Sequence, residues 1–244
     1  MSGSDYREAF YAAYATTHNV PRKGALTLER LTALRPVWEA HYGALLPSDR
    51  SARVLDAGCG DGALLWWLQA SGFQAVGVDV SGEQAEIARS LGVRDVMVSP
   101  IDVYLERHAG VFDVILMRNV LEHFAKDELL RVLELVRECL APGGLLVAQV
   151  PNAQSPFAGR IRYGDFTHEL AFTDRSLNQL LTVCGFASIR CQPVPPVHRG
   201  PTGPFRQAWW KAVQFLYRSM LAAEVGGWPS VVTLDIIVAA QRSE

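Results

Sequence analysis

The chemistry in this chain is concentrated first in the run DAGCGDG at residues 56–62. Glycines allow positive φ and close backbone approach to a ligand, and a helix beginning just after such a turn offers unpaired amide donors. Asp79 follows about 20 residues later, where a carboxylate can accept hydrogen bonds from ribose hydroxyls. The same letters also fit the dinucleotide pattern GxGxxA. Asp56 and Asp61 flank the turn and would repel a pyrophosphate, whereas a ligand carrying sulfonium and ammonium groups meets no such penalty. The bland alternative is a glycine turn that only closes a strand–helix unit.

The elements around this turn explain how it can be a site. Residues 53–58 (RVLDAG) read as a short buried strand and 63–71 as a helix closed by Gly72. Strand 75–80 follows, and Ser81 can cap the helix through Ala85, Ile87 and Ala88. Strands at 93–98, 112–117 and 145–150 continue the alternation, with a helix at about 126–140. Strands alternating with helices imply right-handed crossovers and a mainly parallel sheet covered on both faces, an α/β fold. Such sheets bind ligands beyond the C-terminal strand ends, where 56–62 lies. A helical stretch from Ser176 to Cys184 stops at Gly185, and strands are expected at about 187–192 and 231–240. Upstream, about 6–46 show helical spacing through Leu28, Leu31, Leu34 and Trp38, punctuated by Pro36 and Pro47.

Composition narrows the function classes. Lys plus Arg number 23 against 25 Asp plus Glu, a formal charge of −2, so no global field attracts a polyanion and nucleic acid is not the expected substrate. The four cysteines, Cys59, Cys139, Cys184 and Cys191, form no CxxC pair, which fits a reducing cytoplasmic compartment. Residues 1–10 lack the basic and apolar regions of a secretion signal, and no stretch reaches the roughly 18 apolar residues that span a bilayer. No set of Asp, Glu, His or Cys shows metal-ligand spacing, so no metal is expected.

VLDAGCGDG, VGVDVS, FDVILMRNVLEHF and LAPGGLLVAQVPN, in that order across about 53–152, resemble the motif series of class I methyltransferases that use S-adenosylmethionine. The resemblance implies a Rossmann-like fold with a seven-stranded sheet, its last strand antiparallel, under a helical N-terminal cap. It implies one domain over 1–244, with the cap at 1–50, the cofactor core at 51–152 and an acceptor-side region at 153–244. It places the cofactor against Asp56, Gly58, Cys59 and Gly60, its ribose on Asp79 beside Val80, and Asn119 alongside. Relatives carry an acid after strand three for the adenine; Pro100 stands nearest that position here, and Asp102 or the backbone at Ile101 serves instead.

The segment 163–186 and the run PNAQSPF are similar to methyltransferases of bacterial polysaccharide and lipopolysaccharide synthesis. That likeness implies O-methylation of a saccharide or lipid-linked saccharide, with a quinone-pathway or other small-molecule O- or N-methyltransferase as the alternative. A SAM-binding partner subunit without chemistry is the reading from a different class. An alcohol acceptor needs a base, and histidine titrates in the right range. Of six histidines, His168 in GDFTHE and His123 in NVLEHF follow strands five and four, which places both at the catalytic edge of the sheet. Either can instead brace a loop of the pocket wall. Tyr11, Tyr14 and His18 form a lid over the acceptor or pack an amphipathic helix on the sheet. A helix is expected at about 204–228, polar along Gln207, Lys211, Gln214 and Arg218 and apolar along Trp209, Val213, Leu216 and Met220. It packs within the domain, joins a homodimer or rests on an anionic membrane.

Overall fold

The computed structural model describes residues 5–19, 25–197 and 202–243. Seven strands form one sheet: β1 (Arg53–Ala57), β2 (Gln74–Asp79), β3 (Val96–Val98), β4 (Phe112–Arg118), β5 (Leu140–Pro151), β6 (Phe186–Pro193) and β7 (Asp235–Arg242). Their spatial order is β3-β2-β1-β4-β5-β7-β6. The pairs from β3 to β5 are parallel, and β7 runs antiparallel to both β5 and β6. The strand order reverses between β1 and β4, which opens a crevice above their C-terminal ends.

Helices cover both faces, which is why the central strands are nearly continuous apolar runs. Along β1, Val54 packs to one side and Leu55 and Ala57 to the other, the two-residue period of a pleated strand. One face is closed by α2 (Leu28–Tyr42), α3 (Ala63–Ala70) and α4 (Gly82–Ser90), through Leu31, Trp38, Leu64, Trp67, Ala85 and Ala88. The other is closed by α5 (Ile101–Leu105), α6 (Lys126–Cys139) and α8 (Asp174–Val183), the last beyond the short α7 (Ala158–Arg162). Ser81 caps α4 as expected, its hydroxyl accepting the Gln84 N–H at 3.4 Å.

Several boundaries differ from the sequence reading for local reasons. The expected strand at 93–98 starts only at Val96: the Val93 N–H goes to the Ala88 carbonyl at the end of α4, and Asp95 takes a φ of 54°. The last strand begins at Asp235 rather than 231, because the Asn152 side-chain amide takes the Val231 and Thr233 carbonyls. Helix α6 ends at Cys139, and β5 starts at once, Leu140 pairing with Phe112. The N-terminal stretch is α1 (Asp5–Ala12), a π turn at Ala15–Asn19, and α2; the part at 20–24 lies outside the described residues. Pro36 does not punctuate the chain but sits inside α2, where Leu31, Trp38 and Tyr42 bury one face and hold the helix across the missing N–H.

Helix α9 (Gly203–Val225) occupies the expected place between β6 and β7. Its apolar stripe is not covered by the sheet: Trp209 is 67% exposed, Leu216 62% and Met220 63%. Among the described residues no helix is long and apolar enough to cross a membrane.

Candidate functional site

The turn after β1 lies at the crevice. Gly58, Gly60 and Gly62 all take positive φ, at 80°, 55° and 74°. A Cβ on Gly58 would stand 2.4 Å from Val120 Cγ2, so only glycine lets the turn pass beneath the end of β4. The N–H groups of Gly58 and Cys59 both donate to the Val78 carbonyl, at 2.8 and 3.1 Å. Asp79 accepts the Gly60 N–H on one carboxylate oxygen and the Ser81 N–H on the other, each at 2.8 Å. A carboxylate has about four acceptor positions, so Asp79 keeps capacity for a ligand's hydroxyls. Burial raises its pKa, and these amide bonds oppose the rise.

A single cavity of about 410 Å³ runs from this turn to the loops after β4 and β5. Gly58, Cys59, Gly60, Asp79, Val80, Ile101, Asp102, Asn119, His123 and His168 all line it. Pro100, Ile101 and Asp102 open α5 and bring that segment to the wall. Asn119 has a φ of 56°, a conformation asparagine tolerates better than most residues, and its N–H donates to the Gln149 carbonyl at 2.8 Å. Asp56 departs from the expectation: it is buried beneath the turn and does not reach the wall. Burial pushes its carboxyl up to about 7; Arg118 opposes this, and Asp79 and Asp61 add to it. Cys59 lies on the wall, but burial pushes its thiol far above the usual range, which leaves it inert as a nucleophile.

At the other end, the loops after β4 and β5 are stitched together: the N–H groups of Glu169 and Leu170 donate to the Glu122 carbonyl, at 2.7 and 3.0 Å. This brings the His123 and His168 rings to 4.7 Å between centroids. His168 Nδ1 lies 3.0 Å from the Ile161 carbonyl, which only accepts, so Nδ1 carries the proton and Nε2 a lone pair. Thr167 donates its hydroxyl to Asp165 Oδ1 at 2.7 Å, so at 2.9 Å its oxygen accepts from His123 Nδ1. His123 Nε2 is then also a lone pair. Burial, helped by His168, lowers the His123 pKa to about 4, and burial lowers that of His168 as well. Burial works against the Asp165 carboxylate, but hydrogen bonds from Tyr14 and Thr167 prevail and hold its pKa down to about 2.

The cap closes over this end. Tyr11, Tyr14 and His18 line the cavity, with Tyr14 donating to Asp165 and stacking on His18 at 5.1 Å. Arg7 pairs with Glu128 at 2.7 Å, and Tyr6 donates to Glu169 Oε1 at 2.6 Å. Sequence reasoning missed Asp165, although its place two residues before Thr167 and three before His168 signals an acidic turn that orders the histidine loop. It also missed that Glu122, His123 and His168 meet: one ligand-type atom of each lies within 4.8 Å of the others. The 44 residues between the two histidine loops hide that grouping from any reading of spacing.

A family model described as a methyltransferase domain matches residues 32–190. The ubiquinone biosynthesis O-methyltransferase of Chelativorans sp. (strain BNC1) is 35% identical over 133 residues, covering 50% of this chain and 51% of that protein. The chain spans about half the length of the curated relatives it matches. Those relatives carry a quinone-pathway name rather than the glycan-synthesis role that the segment at 163–186 implied. A SAM-dependent methyltransferase from Archaeoglobus fulgidus superposes with a TM-score of 0.64 at 18% identity, covering 88% of this chain and all of that one. The 1,6-didemethyltoxoflavin-N1-methyltransferase of Burkholderia thailandensis superposes with a TM-score of 0.62 at 19% identity, over 100% of this chain and 92% of that one. That protein holds its substrate and S-adenosylhomocysteine. The sheet order, the glycine turn and the family match over most of the chain agree: this chain belongs to the methyltransferase domain family.

Proposed function

We propose that this chain binds S-adenosylmethionine at the β1–β4 crevice and methylates a hydroxyl of a small acceptor of the quinone-pathway type. The observation that carries the reading is the single cavity joining the Asp79 and glycine-turn end to the His123 and His168 end. Gly58, Cys59 and Gly60 offer a backbone that a ligand can approach closely, and Asp79, beside Val80, accepts its ribose hydroxyls. Ile101 and Asp102 border the base, Asn119 flanks the sulfur end, and Asp56 lies beneath the turn. Bound there, S-adenosylmethionine supplies a methyl group on a positively charged sulfur, open to in-line attack by oxygen.

The chain's own contribution is positional. The cap residues Tyr11 and Tyr14 close the acceptor end against water and orient the acceptor, which supplies much of the acceleration in a displacement at carbon. The acceptor's hydroxyl proton is handled at the His123–His168 pair, whose Nε2 atoms carry lone pairs because each Nδ1 donates its proton to a neighbouring oxygen. The quinone-pathway names of the curated relatives support a phenolic acceptor. A lipid-linked form of it accords with the exposed apolar stripe of α9, through which the chain meets a membrane or a second copy of itself. A saccharide hydroxyl is the second reading, favoured by the charged groups Arg7, Asp165 and Asp235 on the cavity wall.

The deciding experiment supplies methyl-labelled S-adenosylmethionine with parallel panels of dihydroxybenzene acceptors, with and without prenyl chains, and of nucleotide- and lipid-linked sugars. Mass spectrometry then locates the label. Label on a phenolic oxygen supports the first reading, and label on a sugar oxygen replaces it with the second.

A further inference from the structure

Glu122 stands on the short 3₁₀ turn Leu121–His123 with none of its surface exposed, and neither carboxylate oxygen has a hydrogen-bond partner among the described residues. Buried carboxylates are otherwise paired, hydrogen-bonded or bound to metals. The nearest candidate partner is His168 Nε2, 4.0 Å from Glu122 Oε1 and too far for a hydrogen bond. His168 Nε2 carries a lone pair, so it offers that carboxylate no proton. Burial raises the Glu122 pKa well above the usual carboxylate range, so the gap between these two groups is filled either by a proton on the carboxyl or by a cation that restores its charge.

Both imidazoles are fixed in the manner of metal-bound histidines. His168 donates its Nδ1–H to a backbone carbonyl, and His123 donates its own to Thr167, which is tied in turn to the Asp165 carboxylate. Such outer bonds set the tautomer, hold the ring and leave the inner nitrogen free to coordinate. One ligand atom from each of Glu122, His123 and His168 falls within 4.8 Å of the others, so drawing them around one ion takes shifts of about 1 Å. Two imidazoles with one carboxylate suit zinc and other first-row divalent cations, and three protein ligands leave a coordination position open.

We infer that Glu122, His123 and His168 bind one divalent transition-metal cation, and that its open position, facing the cavity, takes the acceptor's hydroxyl oxygen. The cation site stands on this cluster; its role as the acceptor's anchor rests on the O-methyl transfer reading above. With a cation there the bound hydroxyl is acidified by the metal, and the two histidines act as its ligands in place of accepting the proton themselves. The balance is one C–O bond formed, one C–S bond broken with its electron pair left on sulfur, and one hydroxyl proton released to solvent.

The test is a titration of the full chain, stripped with chelator and re-equilibrated, with Zn²⁺, Mn²⁺ and Co²⁺ separately, without methyl donor or acceptor. One equivalent is expected to bind, with Co²⁺ giving ligand-field bands and no thiolate charge-transfer band. Affinity is expected to fall at least about tenfold in Glu122→Gln and in His168→Ala. Binding of S-adenosylhomocysteine identifies which variants are folded, and His123→Ala takes the place of either that is not. Absence of saturable binding by the wild-type chain overturns the inference, as does a thiolate band or unchanged affinity in the folded variants. Because no acceptor is present, failure here leaves the methyl-transfer reading intact, and an inactive transfer assay leaves the metal result intact.

Discussion

Tyr14 donates a hydrogen bond to the Asp165 carboxylate across 151 residues of sequence, tying the N-terminal cap to the loop that carries His168. Burial and this bond push the phenol far above its ordinary pKa, so it stays a donor at every working pH. Tyr14→Phe removes a bond to a charged group, worth about 1.5–3 kcal/mol. Its expected result is a loss of roughly ten- to hundredfold in kcat/KM for the acceptor, with little change in cofactor affinity. Steady-state kinetics against each substrate separately reads this directly.

His168 lines the cavity beside His123, with its Nδ1 on the Ile161 carbonyl. His168→Ala should lower turnover by about 10²- to 10⁴-fold while leaving cofactor binding nearly unchanged, because the group acts where the proton leaves. Wild-type turnover at saturating acceptor would reduce His168 to a brace for its loop and leave His123 to carry the role.

Asp56 links the site to stability. Its folded pKa of about 7 lies above the usual carboxylate value, so the folded state holds the proton more tightly than the unfolded chain. The stability that Asp56 contributes is therefore greatest in acid and declines as pH rises from about 4 through 7, by an amount on the order of 4 kcal/mol. Asp56→Asn should flatten that decline, so that the gap in Tm between variant and wild type widens between about pH 5 and 8. Parallel Tm curves in ligand-free protein would show that Asp56 carries no such penalty.

Helix α9 offers a surface test. Arg206, Lys211 and Arg218 accompany the exposed Trp209, Leu216 and Met220. Contact with an anionic bilayer predicts co-sedimentation with anionic vesicles that weakens with added salt, and a loss of at least about fivefold in a Trp209→Glu, Leu216→Glu double variant. No sedimentation at low salt, together with a dimer that the same variant dissolves, assigns the helix to a second copy.

The core of the fold was legible because its signals are local. Buried strands, glycine stops and the Ser81 cap each act within a few residues, so the β1–β5 alternation could be read directly. Strand ends were less legible, since side chains from elsewhere decide them: Asn152 takes carbonyls that would otherwise extend β7. The glycine-turn end of the cavity is lined by residues of one motif series, apart from Asp56, which lies buried beneath the turn. The acceptor end depends on pairings between distant loops, Glu169 to Glu122 and Tyr14 to Asp165, that no spacing rule encodes.

Calorimetric titration of S-adenosylmethionine into wild-type and Asp79→Ala protein shows whether the turn after β1 and the carboxylate after β2 hold that ligand. Asp79 has room to accept up to two ligand hydroxyls as charge-assisted bonds, each worth roughly 1.5–3 kcal/mol. One equivalent is expected to bind to the wild type, with an affinity lower by about 10²-fold or more in a folded variant. A wild-type chain that takes up no S-adenosylmethionine, or a folded variant that binds it equally well, would contradict this binding site.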